Sequence, residues 1–173
     1  MSSRLELINP ANGEKFRELP YHNWDETKSL LVKAGNTQKQ WKHTEISERI
    51  HLVKAAMDYF LDNQQTIAED ITQQMGKPIS QSLSEVKGMI HRAEVCCDLA
   101  EDALKDITIP EADGLKRFIK REPLGVVLDI AAWNYPLLIA VNVVVPAVLA
   151  GNVVAIKHSS LTPLCGKAFE DAF

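Results

Sequence analysis

Residues 130–156 contain no charged side chain, and no other part of the 173-residue chain is free of charge for so long. A run like this can cross a bilayer, which takes about 20 consecutive apolar residues. It can also be a strand–helix–strand unit buried inside a sheet, whose strands read as near-continuous Val/Ile/Leu. The internal punctuation favours the second. Val126, Val127, Leu128 and Ile130 form a short apolar run of strand length, and Tyr135 to Ala150 is long enough for a helix. Gly151-Asn152 then stops the helix, and Val153 to Lys157 is a second short strand rich in β-branched residues. Pro146 within the segment removes one intrahelical hydrogen bond and kinks the helix. The stretch is therefore predicted to be a βαβ crossover with both strands buried on both faces, and no membrane span is expected.

The preceding residues carry helical periodicity. Residues 25–42 present Leu30, Leu31, Ala34 and Trp41 as inward positions. Thr44 is a candidate N-cap for a second helix, with Glu45 and Glu48 in its first turn. Ile46, Ile50, Val53, Met57, Phe60 and Leu61 mark that helix's apolar face. Asp62 and Gln65 resemble a capping box opening a third helix, which carries Ile67, Ile71 and Met75 and is closed by Gly76 and Pro78. A fourth is expected from Gln81 to about Leu104, with Leu83, Val86, Ile90, Ala93, Cys97 and Ala100 inward. The opening "LELINPANGEKFREL" reads as strand, turn, strand, and Asp113-Gly114 is a hairpin turn between alternating flanks. Three blocks follow: 1–104, strands and a helical layer; 105–122, a β-hairpin; and 123–173, the βαβ unit. The fold class is α/β.

Charge and cysteine content narrow the partners. The net charge of −4 argues against nucleic acid, whose phosphates need a basic face. "LKRFIKREP" is read as a solvated strand or loop. The stretch "MSSRLELINP" has no apolar core of the kind a secretory leader needs. Three cysteines, two of them adjacent, do not form a disulfide framework, which fits a reducing, cytoplasmic setting. Cys97 is expected in the core, and His43 and His91 show no metal-ligand spacing with other donors.

In open α/β sheets ligands bind beyond the carboxyl ends of the strands. Asn134 follows the first strand of the crossover and Lys157 ends the second. A rigidly held Asn amide can donate to a developing oxyanion, and a Lys at a strand end can donate to sugar hydroxyls or phosphate. Asn134 can equally cap the helix, and Lys157 can be a strand-end residue reaching to solvent. On pattern alone both readings stand.

The block "REPLGVVLDIAAWNYPLLIAVNVVVPAVLAGNVVAIKHSSLTPL" resembles the aldehyde dehydrogenase superfamily, where "EPLGVV", "PWNYP", "AGN" and "KPSE.TP" elements occur in this order. "INPANGE", the spacing of Trp41 and Arg49, and "MGKPISQSLSEV" fit the same resemblance, which covers essentially the whole chain. Within the family the chain is similar to succinate-semialdehyde dehydrogenase-like members. The resemblance implies the N-terminal part of that fold: a helical layer, the βαβ of an incomplete Rossmann-like parallel sheet, and a hairpin arm belonging to an oligomerisation sheet. It implies NAD- or NADP-dependent oxidation of a small-molecule aldehyde to a carboxylic acid. Asn134 matches the oxyanion-stabilising asparagine, and Lys157 the lysine on the adenosine ribose. Ile130, Ala131 and Trp133 match the segment whose backbone lines the cofactor cleft.

Two departures from the family pattern carry expectations. Where the family has "KPSE" this chain has "KHSS". Ser160 therefore replaces a glutamate that would repel a 2′-phosphate, which implies a site that tolerates or prefers NADP. His158 replaces proline and is given no catalytic role. The second departure is that nothing in these 173 residues resembles the family's glycine-containing cofactor loop, general-base glutamate or catalytic cysteine. Cys165 stands at a helix start and is not read as a nucleophile. The expectation is a truncated chain without dehydrogenase activity of its own. The alternative is a non-catalytic remnant that binds nucleotide weakly or associates with a full-length relative.

Overall fold

The computed structural model describes residues 4–173. Met1, Ser2 and Ser3, part of the stretch read for a leader, lie outside the described residues. In chain order the elements are β1 (Arg4–Ile8), β2 (Lys15–Pro20), α1 (Trp24–Trp41), α2 (Ile46–Asp62), α3 (Gln64–Met75), α4 (Ile79–Leu104), β3 (Ile107–Ala112), β4 (Leu115–Ile119), β5 (Val126–Ala131), α5 (Pro136–Leu149), β6 (Val153–His158) and α6 (Pro163–Ala172). β1–β2 and β3–β4 pair antiparallel, whereas β5–β6 pair parallel across α5. This is the predicted crossover.

α5 explains the uncharged run. It packs against α4 and α2 as well as the two strands, so apolar residues are needed around most of its circumference. Leu137, Ala140, Val141, Val144, Val145, Val148 and Leu149 are buried. Its 14 residues span only about 21 Å at ~1.5 Å per residue, short of a ~30 Å hydrocarbon layer. Among the described residues no helix is long and apolar enough to cross a membrane.

The core continues through Val53, Met57 and Phe60 of α2, Ile67 and Ile71 of α3, Val86, Met89 and Ala93 of α4, and Phe169 of α6. The rings of Phe60 and Phe169 meet with centroids 5.0 Å apart. α3 ends as predicted, with Gly76 in the left-handed conformation at φ 75°. The hairpin turn is also as predicted, with Asp113 at φ 56° and Gly114 at φ 75°.

Several expectations need correction. β5 is not buried on both faces: Asp129 and Ala131 point inward, while Leu128 and Ile130 are 61% and 69% exposed. Leu30, Leu31 and Leu61 are exposed rather than inward, and α1 has no fully buried residue. The N-cap of α2 is Glu45, not Thr44; the Thr44 carbonyl instead accepts from Arg49. The capping box proposed from Asp62 and Gln65 does not form, because Asn63 occupies the cap. A capping box does form at Asn23 and Glu26, which open α1. α4 starts at Ile79, immediately after Pro78.

Candidate functional site

The carboxyl end of the β5–β6 pair gathers the residues singled out from sequence. Ile130 is the register partner of Lys157, and Ala131 of His158. Register partners on parallel strands point to the same face. Ile130 and Lys157 are both exposed and share the open side of the pair, whereas Ala131 is buried and shares the inner side with His158. Trp133, Asn134 and Tyr135 form the exposed turn between β5 and α5. Ser160 is exposed in the turn between β6 and α6. The structure thus brings Ile130, Trp133, Asn134, Lys157 and Ser160 to one end of one sheet, with Ala131 beneath them.

The β5–α5 turn is held from below. The Lys77 ammonium donates to the Asn134 carbonyl at 2.9 Å and lies 4.2 Å from the centroid of the Tyr135 ring. Lys77 is ion-paired with Glu85 Oε2, and both side chains are almost fully buried. The other oxygen, Glu85 Oε1, accepts from the backbone N–H groups of Leu137 at 3.0 Å and Leu138 at 3.4 Å. The first N–H groups of a helix have no intrahelical acceptor, and the helix dipole favours an anion there. One carboxylate meets both needs.

A second support comes from β6. His158 Nε2 lies 3.1 Å from the Pro136 carbonyl, and Nδ1 lies 3.3 Å from Thr162 Oγ1. A carbonyl can only accept, so Nε2 carries the proton and Nδ1 accepts from the Thr162 hydroxyl. Burial, the main influence, holds the His158 pKa below its ordinary value and favours this neutral form. The imidazole ties the end of β6 to the first turn of α5 and to the N-cap of α6.

Sequence reading missed Lys77 and Glu85, although the stretch containing them was noted. The available signal was position: Glu85 falls on the same face of α4 as the buried Ser82, Val86, Met89 and Ala93. A carboxylate on a buried helix face must be paired. Gln74 was missed in the same way; its Oε1 accepts from the N–H of Leu164 at 2.9 Å in the first turn of α6.

The three cysteines are all reduced. Desolvation pushes the thiol pKa of each upward, most strongly for the fully enclosed Cys165. Among the described residues no group of three or more His, Cys, Asp or Glu side chains could hold a metal ion.

The donors at the sheet end suit a nicotinamide dinucleotide. An ammonium and a hydroxyl can serve sugar hydroxyls or phosphate, and exposed apolar Ile130 and Trp133 can face an aromatic base or ring. The chain is 31% identical over 169 residues to a probable NADP(+) succinate-semialdehyde dehydrogenase of Synechocystis sp., covering 98% of this chain and 37% of that protein. It is 30% identical over 166 residues to the NADP(+) succinate-semialdehyde dehydrogenase of Deinococcus radiodurans, covering 96% and 35%. Its fold superposes with a TM-score of 0.89 on an NADP-dependent glyceraldehyde-3-phosphate dehydrogenase of Bacillus halodurans crystallised with NADP, at 30% identity, covering 98% and 37%. The chain spans about a third of the length of these relatives. A model of the aldehyde dehydrogenase family matches residues 1–173 from end to end, and the chain belongs to that family.

Proposed function

We propose that this chain supplies the cofactor grip and the oxyanion donor for NAD(P)-dependent oxidation of a small aldehyde to a carboxylic acid. The observation that carries the reading is the meeting of Asn134, Lys157 and Ser160 at the carboxyl end of one parallel strand pair. Lys157 and Ser160 would hold the adenosine ribose, with the backbone of Ile130, Ala131 and Trp133 lining the cleft. Bound NAD(P)+ supplies the hydride acceptor. The Asn134 side-chain N–H donates to the aldehyde oxygen as that oxygen gains charge on addition of a thiolate. Ser160 offers a hydroxyl and no negative charge, which suits a ribose 2′-phosphate and hence NADP. The hairpin spanning 105–122 would serve association with a second copy.

The nucleophile is a separate matter. A catalytic cysteine needs a lowered pKa and access. Here desolvation raises all three thiols, and Cys97 and Cys165 are buried. This favours a 173-residue chain that binds nucleotide without turning over aldehyde. The test is to mix the purified chain with NADP, NAD and a panel of small aldehydes, following binding by calorimetry and NADPH by absorbance. Saturable NADP binding without NADPH formation is expected. Ser160→Glu should weaken NADP relative to NAD by about 10-fold or more, because a carboxylate beside a phosphate is repulsive. Aldehyde-dependent NADPH formation would refute the inactive reading, and tighter binding of NAD than NADP by the unaltered chain would refute the assignment of Ser160.

A further inference from the structure

We propose that Lys77 and Glu85 are positioning residues that set the geometry of the Asn134 turn. This rests on reading Asn134 as the oxyanion donor, since the turn needs a fixed shape only if its amide has a target.

Trp133, Asn134 and Tyr135 are exposed, so packing alone does not fix them. An exposed side-chain amide contributes to an oxyanion site only when the backbone carrying it is preorganised. Lys77 and Glu85 supply that order from opposite ends of the turn. Lys77 anchors the carbonyl of Asn134 itself and the ring of the next residue. Glu85 anchors the N–H groups of Leu137 and Leu138, where the turn becomes helix. The pair is bonded internally and comes from a different layer, Lys77 from the loop before α4 and Glu85 from α4. The buried face of α4 is thereby coupled to the exposed turn through charge-assisted hydrogen bonds, the stronger and more directional kind.

Neither charge is needed to fill space. A buried ion pair can be replaced by apolar residues of similar size at little cost in stability, whereas removing one partner is strongly destabilising. This separates positioning from folding. The variant Lys77→Met/Glu85→Leu keeps the volume and leaves no unpaired charge, but it removes the anchors on the Asn134 carbonyl and on the Leu137 and Leu138 N–H groups, leaving only the His158 contact to the Pro136 carbonyl. Lys77→Met/Glu85→Gln restores an acceptor for Leu137 and Leu138 without restoring the anchor on the Asn134 carbonyl.

The experiment is amide hydrogen exchange and ¹H–¹⁵N NMR on the whole 173-residue chain and on both double variants. In Lys77→Met/Glu85→Leu, exchange at Leu137 and Leu138 should accelerate about 10-fold or more, the equivalent of losing hydrogen bonds to a charged acceptor. The Asn134 backbone and side-chain amide signals should shift and broaden, while Phe60, Met89 and Ala93 keep their protection. The Gln variant should recover protection at Leu137 and Leu138 but not the Asn134 signals. Unchanged Asn134 signals in the first variant, or acceleration spread evenly over α2 and α4, would overturn the proposal. If the first variant does not fold, the Gln variant alone decides through the same Asn134 signals. NADP titration of the unaltered chain separates the two readings. Local loosening without NADP binding removes the proposed cofactor site, on which the function of Asn134 depends, and keeps the anchoring, whereas NADP binding with an unaltered turn in the variants removes the anchoring.

Discussion

Glu85 and Arg49 grip opposite ends of the same helix. Glu85 Oε1 accepts from Leu137 N at 3.0 Å in the first turn of α5, and Arg49 Nη1 donates to the Leu149 carbonyl at 2.7 Å in the last. An anion at the N-terminus and a cation at the C-terminus both complement the helix dipole. α5 has no charged residue of its own. Its terminal polar groups are satisfied by the helical layer, which orients the crossover at both ends.

Removing the anion alone should be costly. Glu85→Leu leaves the Lys77 ammonium buried without its partner and should lower stability by about 3–5 kcal/mol. Most of that loss should return in Lys77→Met/Glu85→Leu, where no unpaired charge is left. Urea unfolding of the three chains checks this, and equal destabilisation of the single and double variants would contradict the paired account.

The other end is graded by the number of contacts. Arg49 also donates from Nε to the Thr44 carbonyl at 2.8 Å, whereas Trp41 makes one bond from Nε1 to the Val148 carbonyl at 3.0 Å. Arg49→Met should cost about 2–4 kcal/mol and Trp41→Phe about 1 kcal/mol. Gly151→Ala should also destabilise. Its φ of 83° disfavours any side chain, and an added Cβ would lie 3.0 Å from Arg49 Nη1. Thermal midpoints at fixed pH measure all three.

His158 predicts a pH dependence. Burial holds its folded-state pKa below the ordinary 6.5. Above 6.5 the imidazole is neutral in both states and its bonds to Pro136 and Thr162 are kept. As pH falls through 6.5 the unfolded chain takes up the proton first, so stability falls until the folded-state pKa is reached. His158→Gln should therefore flatten the loss of stability between pH 7.5 and 5.5, as read from denaturant midpoints. An identical slope in the variant would show that other groups set it.

Asp129 works in the opposite sense. It is 5% exposed, its Oδ2 has no hydrogen-bond partner, and desolvation raises its pKa from 3.8. The folded state then holds the proton more tightly than the unfolded state. Stability from this group is present below 3.8 and lost as pH rises through the folded-state value. At pH 7 Asp129→Ala should stabilise the chain by about 1–2 kcal/mol, and the gain should shrink toward pH 4. Equal stability of the two chains at pH 7 would mean that the carboxylate has found compensation.

The crossover was legible because burial writes itself as an absence of charge, and Gly151-Asn152 and Asp113-Gly114 mark turns whose backbone demands are local. In α1 the inward reading held for Ala34 and Trp41, both partly buried, but not for Leu30 and Leu31. Leu30 and Leu31 have the right period, but only the packing of α1 shows that its apolar side meets the sheet sparingly. Asn134 and Lys157 could be placed from strand order alone, since a parallel pair fixes which ends come together. For Lys77, Glu85 and His158 the face of α4 hinted only at the burial of Glu85, because each also bonds a backbone atom 57, 52 or 22 residues away. No local pattern records such a contact.

The most direct test of the account is NADP titration of the purified chain beside Lys157→Met, with circular dichroism to confirm equal folding. The account predicts saturable binding by the unaltered chain and affinity at least about 10-fold weaker in the variant, as expected on losing a charge-assisted contact. Equal affinity in the two folded chains, or no saturable binding by the unaltered one, would contradict it.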